Sequence, residues 1–200
     1  MTASMMWPVG SGEPDVVIVP GFGDSGAGHW QTRWQDQNPH LVRISPASWT
    51  EPDLGDWISA LERIADHRRP VLVAHSLGCL LSIEWARRNP QAVAGLFLVA
   101  LPDPVAASFP LPDSPFARID LGHALPVPAL VIASENDEYC GSQRSAEIAS
   151  ALGAGWISLG PVGHINADSG LGPWRQGRDL LTAFVSGFDR QQKSPSTVRI

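Results

Sequence analysis

The sequence predicts an α/β fold in which helices cover both faces of a mainly parallel sheet of about six strands. Two observations predict this fold. Short runs rich in Val, Ile and Leu alternate along the chain with stretches whose apolar residues recur at helical spacing. Within the short runs, apolar and polar residues do not alternate, which is typical of parallel strands buried on both faces. We therefore expect one three-layer domain connected by right-handed crossovers.

The strands and helices follow one another in a regular order. The predicted strands are Val16–Pro20, Leu41–Ser45, Pro70–His75, Gly95–Ala100, Ala129–Ser134 and Gly155–Leu159. The predicted helices are Gly28–Gln37, Leu54–Ala65, Leu77–Arg88, Ser142–Leu152 and Trp174–Phe188. The proline-rich segment Leu101–Pro128 interrupts this order and has no clear period. We expect it to be an extended loop, with room for one short helix, that forms a wall of a pocket.

The length of 200 residues is enough for one domain with a sizeable core. We place that domain at residues 15–188. Residues 1–14 form an N-terminal extension, and residues 189–200 form a polar C-terminal tail that we expect to be flexible.

Charge and composition exclude several classes of protein. There are 20 acidic and 14 basic residues, and no basic patch appears, so we expect no nucleic-acid partner. The longest apolar stretch, 95–101, is too short to cross a bilayer, and the N-terminus lacks a secretory signal pattern. Two cysteines cannot form a disulfide framework. We therefore expect a soluble, cytoplasmic protein without a membrane contact, and leave any protein partner open.

A sharp turn after the third predicted strand presents a candidate nucleophile. The sequence Ala74-His75-Ser76-Leu77-Gly78 leads from that strand directly into a helix. This is the context of a nucleophile elbow, G-x-S-x-G, with alanine in place of the first glycine. Such a turn raises the serine hydroxyl above the sheet, and the small flanking residues let helix and strand approach each other. The alternative interpretation is a buried serine that only caps the helix.

Two further strand ends carry the partners that such a serine needs. Asp137 follows the fifth predicted strand and His164 follows the sixth. A serine hydroxyl becomes nucleophilic when a histidine takes its proton, and a carboxylate orients that histidine. The order Ser76, Asp137, His164 is the chain order of α/β-hydrolase triads. Asp103, after the fourth strand, is the rival candidate for the acid.

The loop after the first strand is predicted to complete the site. We assign the two oxyanion-hole N–H groups to Phe22 in this loop and to Leu77, the residue after the candidate nucleophile. Further pocket candidates lie in this loop and in the helix that follows it, and they are Gly21, Gly23, His29, Trp30 and Trp34.

Several motifs together resemble one family. They are Val-Pro-Gly-Phe-Gly at 19–23, His29-Trp30, Gln31-Thr32-Arg33-Trp34, the serine turn at 74–78, Asn136-Asp137, Gly163-His164-Ile165-Asn166 and Gly172-Pro173-Trp174. The chain resembles the small α/β-hydrolase-fold serine hydrolases, and specifically the retinoblastoma-binding-protein-type family with its bacterial relatives. The resemblance implies that Ser76 is the nucleophile, Asp137 the acid and His164 the base. It also implies an acyl hydrolase without a large cap domain.

We therefore expect a hydrolase that cleaves a small-molecule acyl substrate, most simply a carboxylic ester, with thioester or amide as alternatives. No cofactor is needed for this chemistry, and no metal-binding motif is present. Three other interpretations stay open. Gly21, Gly23 and Gly26 also match a dinucleotide-binding fingerprint for NAD(P), with Arg43 as a possible contact to a 2′-phosphate. Ser25 is an alternative nucleophile. A non-catalytic binding protein would keep the fold without using the triad.

Overall fold

A computed structural model describes residues 15–65 and 69–192 of the chain. Its sheet has six strands in the order β2-β1-β3-β4-β5-β6, and every neighbouring pair is parallel. The strands are β1 Val16–Val19, β2 Val42–Arg43, β3 Val71–His75, β4 Gly95–Val99, β5 Ala129–Ala133 and β6 Gly155–Ser158. The predicted fold class is confirmed, although β2 keeps only two residues in the ladder.

Within the described residues, five α-helices alternate with these strands. They are α1 Trp30–Gln37, α2 Leu54–Ala65, α3 Leu77–Arg88, α4 Ser142–Ala151 and α5 Arg175–Gln192. The first helix begins two residues later than predicted, because the side chain of His29 accepts the backbone N–H of Gln31 and caps the helix there.

The last helix is longer than predicted, because α5 continues beyond residue 188 to Gln192. The remainder of the predicted tail, 193–200, and the predicted extension 1–14 lie outside the described residues. The proline-rich segment contains one 3-10 helix, Pro115–Arg118, that buries Phe116 against α2 and α3.

Alternate residues of β1, β3, β4 and β5 enter two separate cores, one on each face of the sheet. Leu72 and Ala74 of β3 belong to the core covered by α2, α3 and α4, whereas Val71 and Val73 belong to the core covered by α1 and α5. The helices therefore form two outer layers around the sheet, as the apolar strand runs require. Among the described residues, no helix is long and apolar enough to cross a membrane.

The strand order reverses between β1 and β3. The chain leaves β1 toward β2 on one side, and from β3 onward it adds strands on the other side. In open parallel sheets, a crevice forms at the carboxyl ends of the strands where the order reverses. The glycine loop after β1 and the serine turn after β3 both lie at this crevice.

Candidate active site

Ser76 occupies a strained turn between β3 and α3. Its φ is +52° and its ψ is −124°, a conformation that a residue with a side chain rarely adopts, and its backbone N–H donates to the carbonyl of Val99 at 3.0 Å. The helix after the turn packs closely against the end of β1. A Cβ on Gly78 would lie 2.4 Å from the carbonyl oxygen of Pro20, so only glycine fits there. The turn thus has the geometry predicted from the sequence.

The side chains of Ser76, His164 and Asp137 form a continuous hydrogen-bonded chain. The Oγ atom of Ser76 lies 2.8 Å from Nε2 of His164, and Nδ1 of His164 lies 2.9 Å from both carboxylate oxygens of Asp137. A carboxylate only accepts hydrogen bonds, so Nδ1 carries the imidazole proton and Nε2 is free to accept the serine proton. The predicted grouping of these three residues is therefore present.

Several hydrogen bonds hold the loop that carries His164. The side chain of Asn136 accepts the N–H of Gly163 at 2.7 Å, and the hydroxyl of Ser134 accepts the N–H of Val162 at 3.0 Å. On the other side, the indole of Trp30 donates to the carbonyl of Ile165 at 2.8 Å. The histidine loop is thus attached to the end of β5 and to α1.

His75 is a buried neutral partner of the same loop. Its Nε2 lies 2.9 Å from the carbonyl oxygen of His164, and since that oxygen only accepts, Nε2 must be the donor. Burial, and then the nearby His29 and His164, hold the pKa of His75 well below its usual value, so the ring stays neutral. The role of base therefore does not fall to His75, in agreement with its position in the turn.

Phe22 and Leu77 present backbone N–H groups near Ser76. Within the described residues, neither amide has a hydrogen-bond acceptor. The loop of Phe22 approaches the turn closely, because a Cβ on Gly21 would lie 2.8 Å from the Cβ of Ser76. The N–H of Gly23 is already used, since it donates to the carbonyl of Trp49 at 2.9 Å. Phe22 and Leu77 thus have amides available to an incoming oxyanion.

Arg43 and Gln31 fix the loop after β1. The guanidinium of Arg43 lies 2.8 Å from the carboxylate of Asp24 and also donates to the carbonyl of Ser25 at 3.1 Å. The amide of the buried Gln31 donates to the carbonyls of Val19 and Val73, and its oxygen accepts the hydroxyl of Ser25 at 2.6 Å.

These contacts contradict two of the alternative interpretations. Ser25 is buried, and its hydroxyl donates its proton to the amide oxygen of Gln31 instead of to a base, so it is not placed to attack a substrate. Arg43 is paired with Asp24 and is not free to bind a 2′-phosphate. The N-terminus of α1 is capped by His29, so the glycine loop does not form the open phosphate cradle that the dinucleotide fingerprint requires.

A cavity of about 360 Å³ opens at Ser76. His29 lines it, as predicted, and so does Phe22. The proline-rich segment contributes a wall, as expected, through Pro102, Phe109 and Pro110. Sequence reasoning missed Glu138 and Tyr139, which both line the cavity, the ring of Tyr139 packing against that of His164. The sequence could have indicated both as pocket residues, because they occupy the two positions after the candidate acid Asp137.

The other pocket candidates do not line the cavity. Trp30 and Trp34 are buried in the core between α1 and α5, where they pack with Trp174 at ring-centroid distances of 4.9 and 5.8 Å. Their rings pack in the apolar core and their indole N–H groups donate to backbone carbonyls, so each side chain is stable in the interior. Gly21 and Gly23 shape the loop backbone without forming part of the cavity wall.

Asp103, the rival candidate for the acid, forms an ion pair elsewhere. Its carboxylate is 2.9 Å from the guanidinium of Arg144 on α4, and its backbone N–H donates to the carbonyl of Tyr139. Asp137 is the carboxylate that contacts His164. Within the part of the chain that the structure describes, no group of three or more His, Cys, Asp or Glu side chains is arranged to hold a metal ion.

Comparison with known proteins identifies the family. A family model described as "Serine hydrolase" matches residues 16–183. The chain belongs to the serine hydrolase family. This hydrolase is also similar to the crystal structure of a YdeN-like hydrolase from Pectobacterium atrosepticum. The two share 34% sequence identity with a TM-score of 0.78, over 86% of this chain and 91% of that one. The prediction of a small α/β-hydrolase-fold serine hydrolase is confirmed, and its narrower retinoblastoma-binding-protein grouping stays a prediction.

More distant structures share the fold of the hydrolase. The ydeN gene product of B. subtilis has 22% identity and a TM-score of 0.70, over 86% of this chain and 98% of that one. Est1E from Butyrivibrio proteoclasticus, solved with ferulic acid bound, has 15% identity and a TM-score of 0.60, over 90% and 89% of the two chains. A comparison with curated proteins finds none that matches the serine hydrolase.

Proposed function

We propose that this serine hydrolase cleaves carboxylic esters through a triad of Ser76, His164 and Asp137 and an acyl-enzyme intermediate. The observation that carries the proposal is the pair of contacts made by His164, at 2.8 Å to the serine hydroxyl and at 2.9 Å to the carboxylate. A hydroxyl within hydrogen-bond distance of an oriented imidazole is the arrangement that activates a serine.

The reaction follows from these contacts. As the Oγ of Ser76 attacks the acyl carbon, Nε2 of His164 takes its proton, and Asp137 stabilises the imidazolium that forms. His164 then gives the proton to the leaving alcohol, and the acyl group stays on Ser76. A water molecule, deprotonated by the same imidazole, attacks the acyl-enzyme. As the bond between the acyl carbon and Oγ breaks, His164 returns the proton to Ser76 and the acid is released.

Two backbone amides are proposed to stabilise the oxyanion. The N–H groups of Phe22, in the loop that approaches the serine turn, and of Leu77, the residue after Ser76, have no acceptor within the described chain. Each such donor typically contributes about 3 kcal/mol at the transition state. The fixation of the Phe22 loop by Arg43 and Gln31 supports this role, because a rigid donor does not have to reorganise during the reaction.

The size of the cavity supports a small substrate. A volume of about 360 Å³ is near the lower end of ligand pockets, and Phe22, Phe109 and Pro110 give it an apolar wall. We propose short-chain acyl esters as the substrate class, with thioesters and amides as the alternatives. Hydrolysis of a series of nitrophenyl esters measures this preference. A steep increase in kcat/KM from acetyl to long-chain esters would contradict it.

Covalent labelling tests the catalytic role of the serine. We expect a fluorophosphonate probe to label the wild-type protein and Ser25→Ala, and to leave Ser76→Ala unlabelled. Mass spectrometry of the labelled peptide locates the site. Labelling that persists in Ser76→Ala would overturn the proposal, and no labelling of any form would favour a non-catalytic binding protein.

The place of action is proposed to be the cytoplasm. Cys79 and Cys140 are both free and buried, and burial raises the pKa of Cys140 to about 12, which keeps that thiol unreactive. Unbridged thiols are the rule in reducing compartments. Cell fractionation with an antibody against the protein tests the location, and recovery from a membrane or secreted fraction would contradict it.

A further inference from the structure

The charged side chains that line the active-site cavity are both acidic. Asp24 and Glu138 are among the described residues of its wall, and none of those residues is a lysine or an arginine. The two carboxylates differ in their surroundings. Asp24 is paired with Arg43 at 2.8 Å, so its charge is compensated locally. Glu138 is exposed and forms no ion pair within the described chain, so its negative charge acts on the cavity.

Glu138 lines the cavity next in sequence to the residue that packs against His164, and the leaving group must lie beside His164. The leaving alcohol receives its proton from Nε2 of His164, so it has to lie beside that ring. Tyr139 packs edge-on against His164, with ring centroids 4.5 Å apart, and Glu138 precedes it in the chain. Partial burial, and then the charges of Glu138 and Asp137, raise the pKa of the Tyr139 phenol. The negative charge of Glu138 therefore acts on the tyrosine that packs against His164.

Aromatic side chains accompany this carboxylate. Tyr139, Phe109 and Phe22 line the same cavity. Aromatic faces attract cations, and quaternary ammonium groups are commonly bound where aromatic rings and a negative charge meet. An anionic group at the same place would face Glu138 without a compensating cation.

From this arrangement we propose that Glu138 determines leaving-group specificity. It favours esters whose alcohol carries an alkylammonium group, and it disfavours alcohols or thiols that carry carboxylate or phosphate. The inference rests on the proposed ester hydrolysis and adds the charge class of the leaving group. It also predicts that acyl thioesters of phosphate-bearing carriers are poor substrates.

Three butyryl esters that differ in leaving-group charge test the proposal. They are butyrylcholine, its uncharged carbon isostere 3,3-dimethylbutyl butyrate, and the butyryl ester of 3-hydroxypropanoate. We expect wild-type kcat/KM to be highest for the cation and lowest for the anion. In Glu138→Gln, the ratio of cationic to neutral ester should fall by about threefold or more, the effect of one charge at close range. Added salt should weaken the wild-type preference.

Glu135→Gln is the matched control. Glu135 is exposed in the same loop but does not line the cavity, so its removal changes the net charge of the protein equally. We expect the ratio of kcat/KM for the cationic ester to that for the neutral ester to stay at its wild-type value in this variant. An unchanged ratio in Glu138→Gln, or an equal shift in both variants, would overturn the proposal.

A measurement that needs no turnover separates this inference from the proposed function. Choline should slow fluorophosphonate labelling of Ser76 more than its neutral isostere 3,3-dimethylbutan-1-ol does, and the difference should shrink in Glu138→Gln. If the three esters are not cleaved but this difference is observed, ester hydrolysis fails and the charge preference stands. Equal protection by both alcohols overturns the charge preference. If Ser76 is never labelled, the proposed function fails and the inference fails with it.

Discussion

The indole Nε1 of Trp30 donates a 2.8 Å hydrogen bond to the backbone carbonyl of Ile165, the residue that follows His164. Ile165 is fully buried and has a φ of +48°, a strained value for a β-branched residue. Strain of this kind persists only where the surroundings fix the backbone. The first tryptophan of α1 therefore acts on the histidine loop from the core, and not on a substrate in the cavity.

Replacement of this tryptophan should impair catalysis without removing the serine. In Trp30→Phe, the carbonyl of Ile165 loses its donor, which costs about 1–3 kcal/mol for a buried group. Because the loop can then relax, we expect kcat to fall about tenfold or more, as small displacements of a catalytic group do. Steady-state kinetics on a short-chain ester, with urea unfolding in parallel, measure the two effects.

Trp34→Phe is the matched control for that variant. Its indole also donates to a backbone carbonyl, that of Pro173, at 2.9 Å, but Pro173 does not adjoin the base and follows it by nine residues. We expect a similar loss of stability with kcat close to wild type. Equal loss of kcat in both variants would show that general loosening of the tryptophan cluster is responsible, and would contradict a specific effect on His164.

The two candidate acids should respond differently to amide substitution. Asp137→Asn removes the charge that orients His164, and the analogous change in a serine protease triad lowers kcat by about 10⁴-fold. Asp103→Asn weakens an ion pair with the partly exposed Arg144 and leaves the triad intact. We therefore expect Asp103→Asn to retain most of the activity. Measurement of kcat for both variants tests whether Asp137 is the acid of the triad. Loss of activity in Asp103→Asn, with activity kept in Asp137→Asn, would contradict this assignment.

Two helical glycines should respond to alanine with opposite signs. A Cβ on Gly78 would lie 2.4 and 2.5 Å from the carbonyl oxygens of Pro20 and Val19, so Gly78→Ala should destabilise the protein by about 3 kcal/mol, at the upper end for overpacking. Gly187 in α5 has open space around it, and Gly187→Ala should stabilise by about 0.5–1 kcal/mol. Urea unfolding measures both, and equal changes would contradict the close contact at Gly78.

Sequence reasoning predicted the strand ends well because their chemistry is local. The apolar runs gave all six strands, and the turn at Ser76 is recognisable since only small residues fit between α3 and β1. The order Ser76, Asp137, His164 placed three side chains at neighbouring strand ends, where parallel topology brings them together.

The packing of the tryptophans could not be predicted in the same way. Trp30 and Trp34 follow a site loop in sequence, but the direction of a side chain depends on the turn of the helix and on its partners in the same core. Here those partners are Trp174 and the carbonyls of Ile165 and Pro173, more than a hundred residues away. Such long-range contacts leave no periodic pattern in the sequence.

His29 should make the protein sensitive to acid. Its ring is buried beside His75, and its Nδ1 accepts the N–H of Gln31 at 3.2 Å. Burial, and then the positive charge of Arg43 and the nearby His164, lower the pKa of His29 from 6.5 to about 4. Between these two pH values the unfolded chain binds a proton that the folded protein does not, so the free energy of unfolding falls as the pH falls.

His29→Asn should therefore flatten the dependence of stability on pH. Asparagine is a good N-cap and can still accept the N–H of Gln31, so α1 keeps its cap. The lost ring contacts lower the free energy of unfolding by a constant amount at every pH. The missing histidine should add a difference in slope of about 1.4 kcal/mol per pH unit between pH 6 and 4.5. Urea unfolding of both proteins across this range separates the two effects, because parallel curves would mean that His29 takes up its proton in the folded state as readily as in the unfolded chain.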